Sequence, residues 1–169
     1  MKPWVGWADA LTALRVPLAA VFPVLRNPLA RAGVIVLAAG SDVADGMLAR
    51  RHGGSRVGPV LDPVADKIFM AVAFVTVAHA GALGVLETLA ILFRDIVAVV
   101  GFVGSALLRR PLALPARAGG KAVTVGQVLT LLAAVGRSSF ARWLAWGTAA
   151  VGLYAIWDYA RAARRVARP

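Results

Sequence analysis

The chain has 169 residues, of which 60% are hydrophobic and only 16% are charged. A typical soluble domain is nearer half apolar and one quarter charged, so this composition excludes a disordered chain, a nucleic-acid-binding tail and most soluble folds. The net charge is +11, from 19 Lys and Arg against 8 Asp and Glu, and the chain contains no cysteine, which excludes disulfides and thiolate metal sites.

Six apolar blocks of the chain approach the length of about 20 residues that a helix needs to cross a bilayer. The blocks are Ala8–Leu25, Arg31–Arg50, Pro63–Ala82, Leu86–Leu108, Val123–Val135 and Phe140–Tyr159. Connectors that contain Gly and Pro separate the blocks, and neither an internal repeat nor a linker between domains is visible. The sequence therefore predicts an all-α fold in which residues 1–169 form a single polytopic membrane domain with six transmembrane helices.

Positive charges are unequally divided between the two sides of this predicted bundle. Twelve Lys and Arg fall on the side that carries both termini and the second and fourth loops, whereas the other side has Arg26, Arg31, Arg137 and Arg142. Cytoplasmic loops of membrane proteins carry the excess of Lys and Arg. We therefore expect a multi-pass protein of the cell inner membrane with both termini in the cytoplasm.

Five of the eight acidic residues fall within or at the ends of the predicted helices. They are Asp42, Asp45, Asp62, Asp66 and Asp95. A charged side chain at the middle of a bilayer costs about 2.5–3.5 kcal/mol on insertion scales, so each of these carboxylates needs a partner or a functional role. Four of the five belong to one short segment of the chain.

Helical geometry groups these four carboxylates on two faces. Asp42 and Asp45 lie within an arc of about 100° on the second helix. Asp62 and Asp66 are an i,i+4 pair on the third helix, where we predict Asp62 as the N-cap and Pro63 as the first helical residue. The short loop between the helices is expected to turn the two faces toward each other.

Four ionised carboxylates gathered in this way repel one another. Hard divalent cations relieve the repulsion, because Mg²⁺ and Mn²⁺ prefer oxygen ligands, and the absence of cysteine argues against zinc. Two such cations near a membrane surface are suited to phosphoryl transfer, since they bind a pyrophosphate and polarise its phosphorus. The alternative is that the acids only pair with Arg50, Arg56 or Lys67.

The segment 42–66 carries the pattern D-x2-D-G-x2-A-R followed by G-x3-D-x3-D. This pattern resembles the signature of the CDP-alcohol phosphotransferases, integral membrane enzymes that make phospholipids and usually have six helices. The gap between Arg50 and Gly58 is one residue shorter than in the family, which changes the loop around Ser55. Arg94-Asp95 and the pattern G-K-x2-T-x2-Q at residues 120–127 are similar to the phosphatidylglycerophosphate synthase and cardiolipin synthase branches.

The resemblance implies a role for each matching residue. Two Mg²⁺ or Mn²⁺ ions would bind Asp42, Asp45, Asp62 and Asp66, and Asp66 would also act as the general base. The residues in contact with the CDP moiety would be Asp9, Thr12, Gly46, Arg50 and Ser55. We further hypothesise that Arg94 and Lys121 bind the phosphate of the acceptor, although a structural pairing of Arg94 with Asp95 is as consistent with the sequence.

The leading interpretation is an enzyme that transfers a phosphatidyl group from CDP-diacylglycerol to an alcohol, most simply glycerol 3-phosphate, and releases CMP. A cardiolipin synthase that uses phosphatidylglycerol as the acceptor stays open, because the same motifs suit both reactions. A small cation transporter is a candidate from a different class, but it would distribute its acids across the membrane depth. A catalytically inactive scaffold is disfavoured by the four intact aspartates. The expected partners are the two substrates, membrane lipids and a second copy in a homodimer, with no nucleic acid.

Overall fold

The computed structural model describes residues 7–52, 58–107 and 118–166. These residues form six α-helices and no strand, which confirms the prediction of an all-α fold with six helices. The helices are α1 (Trp7–Val21), α2 (Pro28–His52), α3 (Gly58–His79), α4 (Val85–Leu107), α5 (Ala118–Val135) and α6 (Ala141–Val166).

Prolines set the end of α1 and the start of α2. α1 ends at Val21 rather than at the predicted Leu25, because Pro23 has no N–H to donate and its ring disfavours a continued helix. α2 begins at Pro28, where the missing N–H costs no intrahelical hydrogen bond. Asn27 caps this helix, since its Oδ1 accepts a hydrogen bond from the Leu29 N–H at 2.9 Å.

The start of the third helix differs from the prediction. α3 begins at Gly58, so Asp62 is not the N-cap and Pro63 is not the first helical residue. Pro59 takes the early position expected of Pro63, because an N–H in the first turn has no intrahelical acceptor. Asp62 and Asp66 nevertheless both lie on α3 and keep their i,i+4 spacing.

The last two helices are longer than the apolar blocks that predicted them. α5 begins at Ala118 rather than at Val123, which places Gly120 and Lys121 in its first turn. α6 continues to Val166, beyond the predicted end at Tyr159. These extensions bring polar residues into regular helix and thereby give them fixed positions on a helix face.

The helices pack in two groups, which meet where α5 contacts α2 and α3 and where α3 contacts α4. α1 packs against α2 and α3, α6 packs against α4 and α5, and α5 also contacts α2 and α3. Buried apolar side chains from all six helices form one core, in which the rings of Phe22 and Phe69 meet edge to face with centroids 6.1 Å apart.

Large apolar side chains also cover much of the outer surface of the bundle. Those that are more than half exposed include Val36, Leu37, Val43, Val75, Leu86, Leu89, Ile96, Val100, Trp143, Leu153 and Trp157. Within the three described ranges, no helix contains a segment both long and apolar enough to cross a membrane.

Candidate active site

The four aspartates of the 42–66 segment lie on two consecutive helices, two on α2 and two on α3. The structure describes the side chains of Asp42 and Asp66. Other predicted site residues have side chains outside the described part of the chain: Asp9, Asp45, Gly46, Arg50 and Asp62. Ser55 falls in the range 53–57, which lies outside the described residues altogether.

Asp42 is paired with an arginine from the first helix. Arg15 Nη2 lies 3.3 Å from Asp42 Oδ1, and Arg15 Nε donates a hydrogen bond of 3.2 Å to Ser41 Oγ. The Arg15 side chain is 1% exposed, whereas that of Asp42 is 52% exposed. The protein therefore holds Asp42 from its buried side and leaves about half of the side chain accessible to a ligand.

Thr12 lies on the same face of α1 as Arg15, one turn earlier. Its side chain is completely buried. The structure thus places this predicted CDP-binding residue beside the arginine that holds Asp42, inside the bundle and away from its outer surface.

A lysine connects Asp66 to a second carboxylate, that of Asp95 on α4. Lys67 Nζ donates a hydrogen bond of 2.6 Å to Asp95 Oδ1 and lies 3.4 Å from Asp66 Oδ2. The side chains of Lys67 and Asp66 are only 19% and 21% exposed, and that of Asp95 is 7% exposed. An ion pair in such surroundings is weakly screened by solvent, so Lys67 restricts where the Asp66 carboxylate can lie.

Asp95 accepts hydrogen bonds from side chains on three different helices. Besides Lys67 on α3, Arg94 Nη1 on α4 donates to Asp95 Oδ1 at 2.9 Å, and Gln127 Nε2 on α5 donates to Asp95 Oδ2 at 2.6 Å. Gln127 is completely buried. One carboxylate therefore joins α3, α4 and α5, and it balances part of the charge of two cations.

The pairing of Arg94 with Asp95 is one of the two interpretations that the sequence left open. It occupies Nη1, whereas Nη2 has no hydrogen-bond partner among the described residues. The pairing is therefore compatible with a second role in binding an anion. Lys121, the other cation assigned to the acceptor, is exposed in the first turn of α5, directly after Gly120.

Sequence reasoning identified the pairing of Asp95 with Arg94, but it did not identify the contacts of Asp95 with Lys67 and Gln127, or Tyr159 as part of this arrangement. A signal for Asp95 was present, because a carboxylate in an apolar run is costly unless it is paired. Tyr159 gave no such signal, since an aromatic residue near a helix end is ordinary at a membrane interface. The structure brings the Tyr159 hydroxyl to within 3.2 Å of the point where a Cβ would stand at Gly120, next to Arg94.

The described side chains combine carboxylates with buried cations. Among them, no group of three or more His, Cys, Asp or Glu lies close enough together to hold a metal ion. The described part contributes Asp42 and Asp66, whose oxygens are the ligands that Mg²⁺ prefers. A carboxylate that accepts a proton and a guanidinium that binds a phosphate are both suited to chemistry on an anionic substrate.

Comparison with known proteins places this arrangement in a family. The CDP-alcohol phosphatidyltransferase model matches residues 6–154. The CDP-diacylglycerol--glycerol-3-phosphate 3-phosphatidyltransferase of Yersinia pestis (strain Pestoides F) is 42% identical over 77 residues, which are 43% of this chain and 42% of that protein. The protein of the same name from Escherichia coli (strain K12) is 46% identical over 74 residues, 40% of this chain and 41% of that protein.

The matched segments thus span about two fifths of the length of each of these relatives, whereas the family model covers most of this chain. The four aspartates on α2 and α3 lie within the residues that the family model matches. On this ground the chain belongs to the CDP-alcohol phosphatidyltransferase family.

Proposed function

We propose that this protein transfers the phosphatidyl group of CDP-diacylglycerol to glycerol 3-phosphate and releases CMP. The observation that carries the proposal is the family match over residues 6–154, together with relatives whose names specify glycerol 3-phosphate as the acceptor. The partly buried cations around Asp95, Lys67 and Arg94, support an anionic acceptor, because a guanidinium binds a phosphate through charge-assisted hydrogen bonds.

In the proposed reaction, a hydroxyl oxygen of glycerol 3-phosphate forms a bond to the phosphorus that carries diacylglycerol. The bond from this phosphorus to the bridging oxygen of the pyrophosphate breaks, and CMP leaves with that oxygen. Asp66 accepts the proton of the attacking hydroxyl. Lys67, which is itself bound to Asp95, holds the Asp66 carboxylate in place. Arg94 and Lys121 bind the phosphate of the acceptor and orient its hydroxyl group.

The proposal includes two divalent ions, Mg²⁺ or Mn²⁺, held by Asp42, Asp45, Asp62 and Asp66. The donor chemistry fits, because the half-exposed Asp42 on α2 and the partly exposed Asp66 on α3 offer carboxylate oxygens. When bound, the ions supply positive charge to the pyrophosphate. The CDP moiety would be bound by Asp9, Thr12, Gly46, Arg50 and Ser55.

A membrane location is also part of the proposal. The many exposed apolar side chains of the bundle surface support it, because a protein in water rarely exposes large contiguous apolar areas. The excess of Lys and Arg on one side supports cytoplasmic termini in a bacterial inner membrane. The family resemblance supports a homodimer, which the mass of the purified protein in detergent would test.

The function is tested by measuring CMP release from the purified protein in mixed micelles of detergent and CDP-diacylglycerol. We expect release with Mn²⁺ and glycerol 3-phosphate, loss of the activity in excess EDTA, and recovery when Mn²⁺ is added back. Release with phosphatidylglycerol instead would assign cardiolipin synthesis. No release with any alcohol would contradict the proposed function.

Replacement of Arg94 by alanine is expected to weaken acceptor binding selectively. We expect the KM for glycerol 3-phosphate to rise about 10- to 100-fold, because a hydrogen bond to a charged group contributes about 1.5–3 kcal/mol. The KM for CDP-diacylglycerol should stay within about twofold of wild type, since the lost interaction binds only the acceptor. Arg142→Ala is the matched control, because the Arg142 side chain is 68% exposed and its one ion pair among the described residues, with Glu87, is long at 3.8 Å. An unchanged acceptor KM in Arg94→Ala would exclude this role.

A further inference from the structure

Arg94 occupies a narrow space between three helices, which we call the Arg94 slot and define by Arg94, Asp95, Gly120, Gly152 and Tyr159. Arg94 and Asp95 come from α4, Gly120 from α5, and the other two residues from α6. A Cβ at Gly152 would stand 3.3 Å from Arg94 Cβ, and one at Gly120 would stand 2.9 Å from Arg94 Nη2. Two glycines therefore make room for the base and for the tip of the same side chain.

The two ends of the Arg94 guanidinium have different surroundings. Nη1 donates to Asp95 Oδ1 at 2.9 Å, and Gln127 holds the other Asp95 oxygen at 2.6 Å. Nη2 points toward Gly120 and has no hydrogen-bond partner among the described residues. The planar guanidinium is thus anchored at one end, and the other end keeps its N–H groups for a ligand.

Tyr159 limits the Arg94 slot on the side of α6. Its hydroxyl lies 3.2 Å from the position that a Cβ would take at Gly120, the same position that is 2.9 Å from Arg94 Nη2. Tyr159 is partly buried and lies after residue 154, where the match to the family model ends.

We propose that Gly120 and Tyr159 are positioning residues for acceptor binding: the missing side chain of Gly120 admits the Arg94 Nη2 end, and the Tyr159 hydroxyl keeps it facing the acceptor phosphate. The inference rests on the proposed function and adds two residues to the acceptor site. It also accounts for a glycine in the first turn of α5, where alanine is the better helix former by about 1 kcal/mol.

The first test compares Gly120→Ala with Gly119→Ala. Both substitutions add one methyl group to the first turn of α5, but the new Cβ at residue 119 meets the Ala155 Cβ at 3.3 Å and not Arg94. We expect Gly120→Ala to raise the KM for glycerol 3-phosphate about 10- to 100-fold, the size of effect that a displacement of about 1 Å has in enzymes. The KM for CDP-diacylglycerol and the kcat at saturating acceptor should stay near wild type, as should all parameters of Gly119→Ala.

The second test uses the two tyrosines of the chain. Tyr159→Phe removes only one oxygen, so it is expected to fold and to raise the acceptor KM by several fold. Tyr154→Phe is the control, because Tyr154 is exposed and contacts the Trp157 ring. In the double variant Gly120→Ala/Tyr159→Phe, the acceptor KM should rise by less than the product of the two single increases. The reason is that loss of the hydroxyl gives the guanidinium room to move away from the new methyl group.

Three outcomes would overturn the inference. An acceptor KM equal to that of its control, in Gly120→Ala or in Tyr159→Phe, would show that the replaced residue does not position Arg94, and the inference in its stated form would fail. A parallel loss of kcat, of the affinity for both substrates and of thermal stability would show that the two residues serve packing alone. If wild-type protein releases no CMP with any acceptor, the proposed function fails first and this inference falls with it, whereas an active wild type with insensitive variants rejects only the inference.

Discussion

Asp66→Asn is expected to abolish CMP release while the protein still folds. An amide does not accept a proton from the acceptor hydroxyl, and loss of a general base lowers turnover by about 10²–10⁴-fold. The amide also removes one of the four charges assigned to the divalent ions, which adds to the loss. The measurement is CMP release by equal amounts of purified wild-type and variant protein with CDP-diacylglycerol, glycerol 3-phosphate and Mn²⁺.

The control for this variant is Glu87→Gln, which makes the same chemical change, from carboxylate to amide, at an acid that has no role in the proposed reaction. Glu87 pairs loosely with Arg142 at 3.8 Å, so its replacement should leave turnover unchanged. Circular dichroism of both variants should show the helix content of wild type. An Asp66→Asn protein that keeps more than about one tenth of the wild-type rate would contradict the assignment of Asp66 as general base.

Asp95→Asn is expected to have the largest effect on stability. The substitution leaves Lys67 and Arg94 with one carboxylate, Asp66, in place of two, in a part of the bundle where Asp95 is 7% exposed. Breaking a buried ion pair by removing one partner costs about 3–5 kcal/mol, because an uncompensated charge stays buried. We expect a loss of this size in the free energy of unfolding, measured by chemical denaturation in detergent, together with a higher KM for glycerol 3-phosphate.

A compensating substitution separates charge from packing in this group. In the double variant Asp95→Asn/Lys67→Met, one cation (Arg94) and one carboxylate (Asp66) are left, so the net charge of the group is again zero. We therefore expect part of the lost stability to return. Glu87→Gln serves as the control here too and should change the free energy of unfolding by less than about 1 kcal/mol. Wild-type stability in Asp95→Asn would show that its three hydrogen bonds contribute little.

The helices of this chain were predictable because each apolar block is bounded by residues that disfavour helix. The predicted helix ends were less accurate where the apolar block and the helix do not cover the same residues. α1 ends at Val21 before Pro23 although the residues up to Leu25 are apolar, and α6 runs on to Val166 through a segment rich in Arg and Ala. Arginine and alanine form helices well but are not counted by a search for apolar residues.

The candidate site divides in the same way between what is local and what is distant in sequence. Asp42, Asp45, Asp62 and Asp66 were identifiable because their spacing along two helices is itself the signal. Arg94 was identifiable as a partner of Asp95 because it is the adjacent residue, whereas Lys67 and Gln127 were not, because they are 28 and 32 residues away along the chain. Such pairs form only when separate helices pack together, and periodicity within one helix contains no information about them.

The sequence by itself determined the number of helices, the family and the positions of four carboxylates, since each of these depends on residue type and on spacing within one or two helices. Only the tertiary structure decided that Arg15 holds Asp42, that Asp95 binds Lys67 and Gln127 as well as Arg94, and that Arg94 Nη2 and the Tyr159 hydroxyl both lie next to Gly120. The reason is physical: a buried charge takes whichever partner helix packing brings within hydrogen-bond distance, and that choice depends on how α1 to α6 fit against one another.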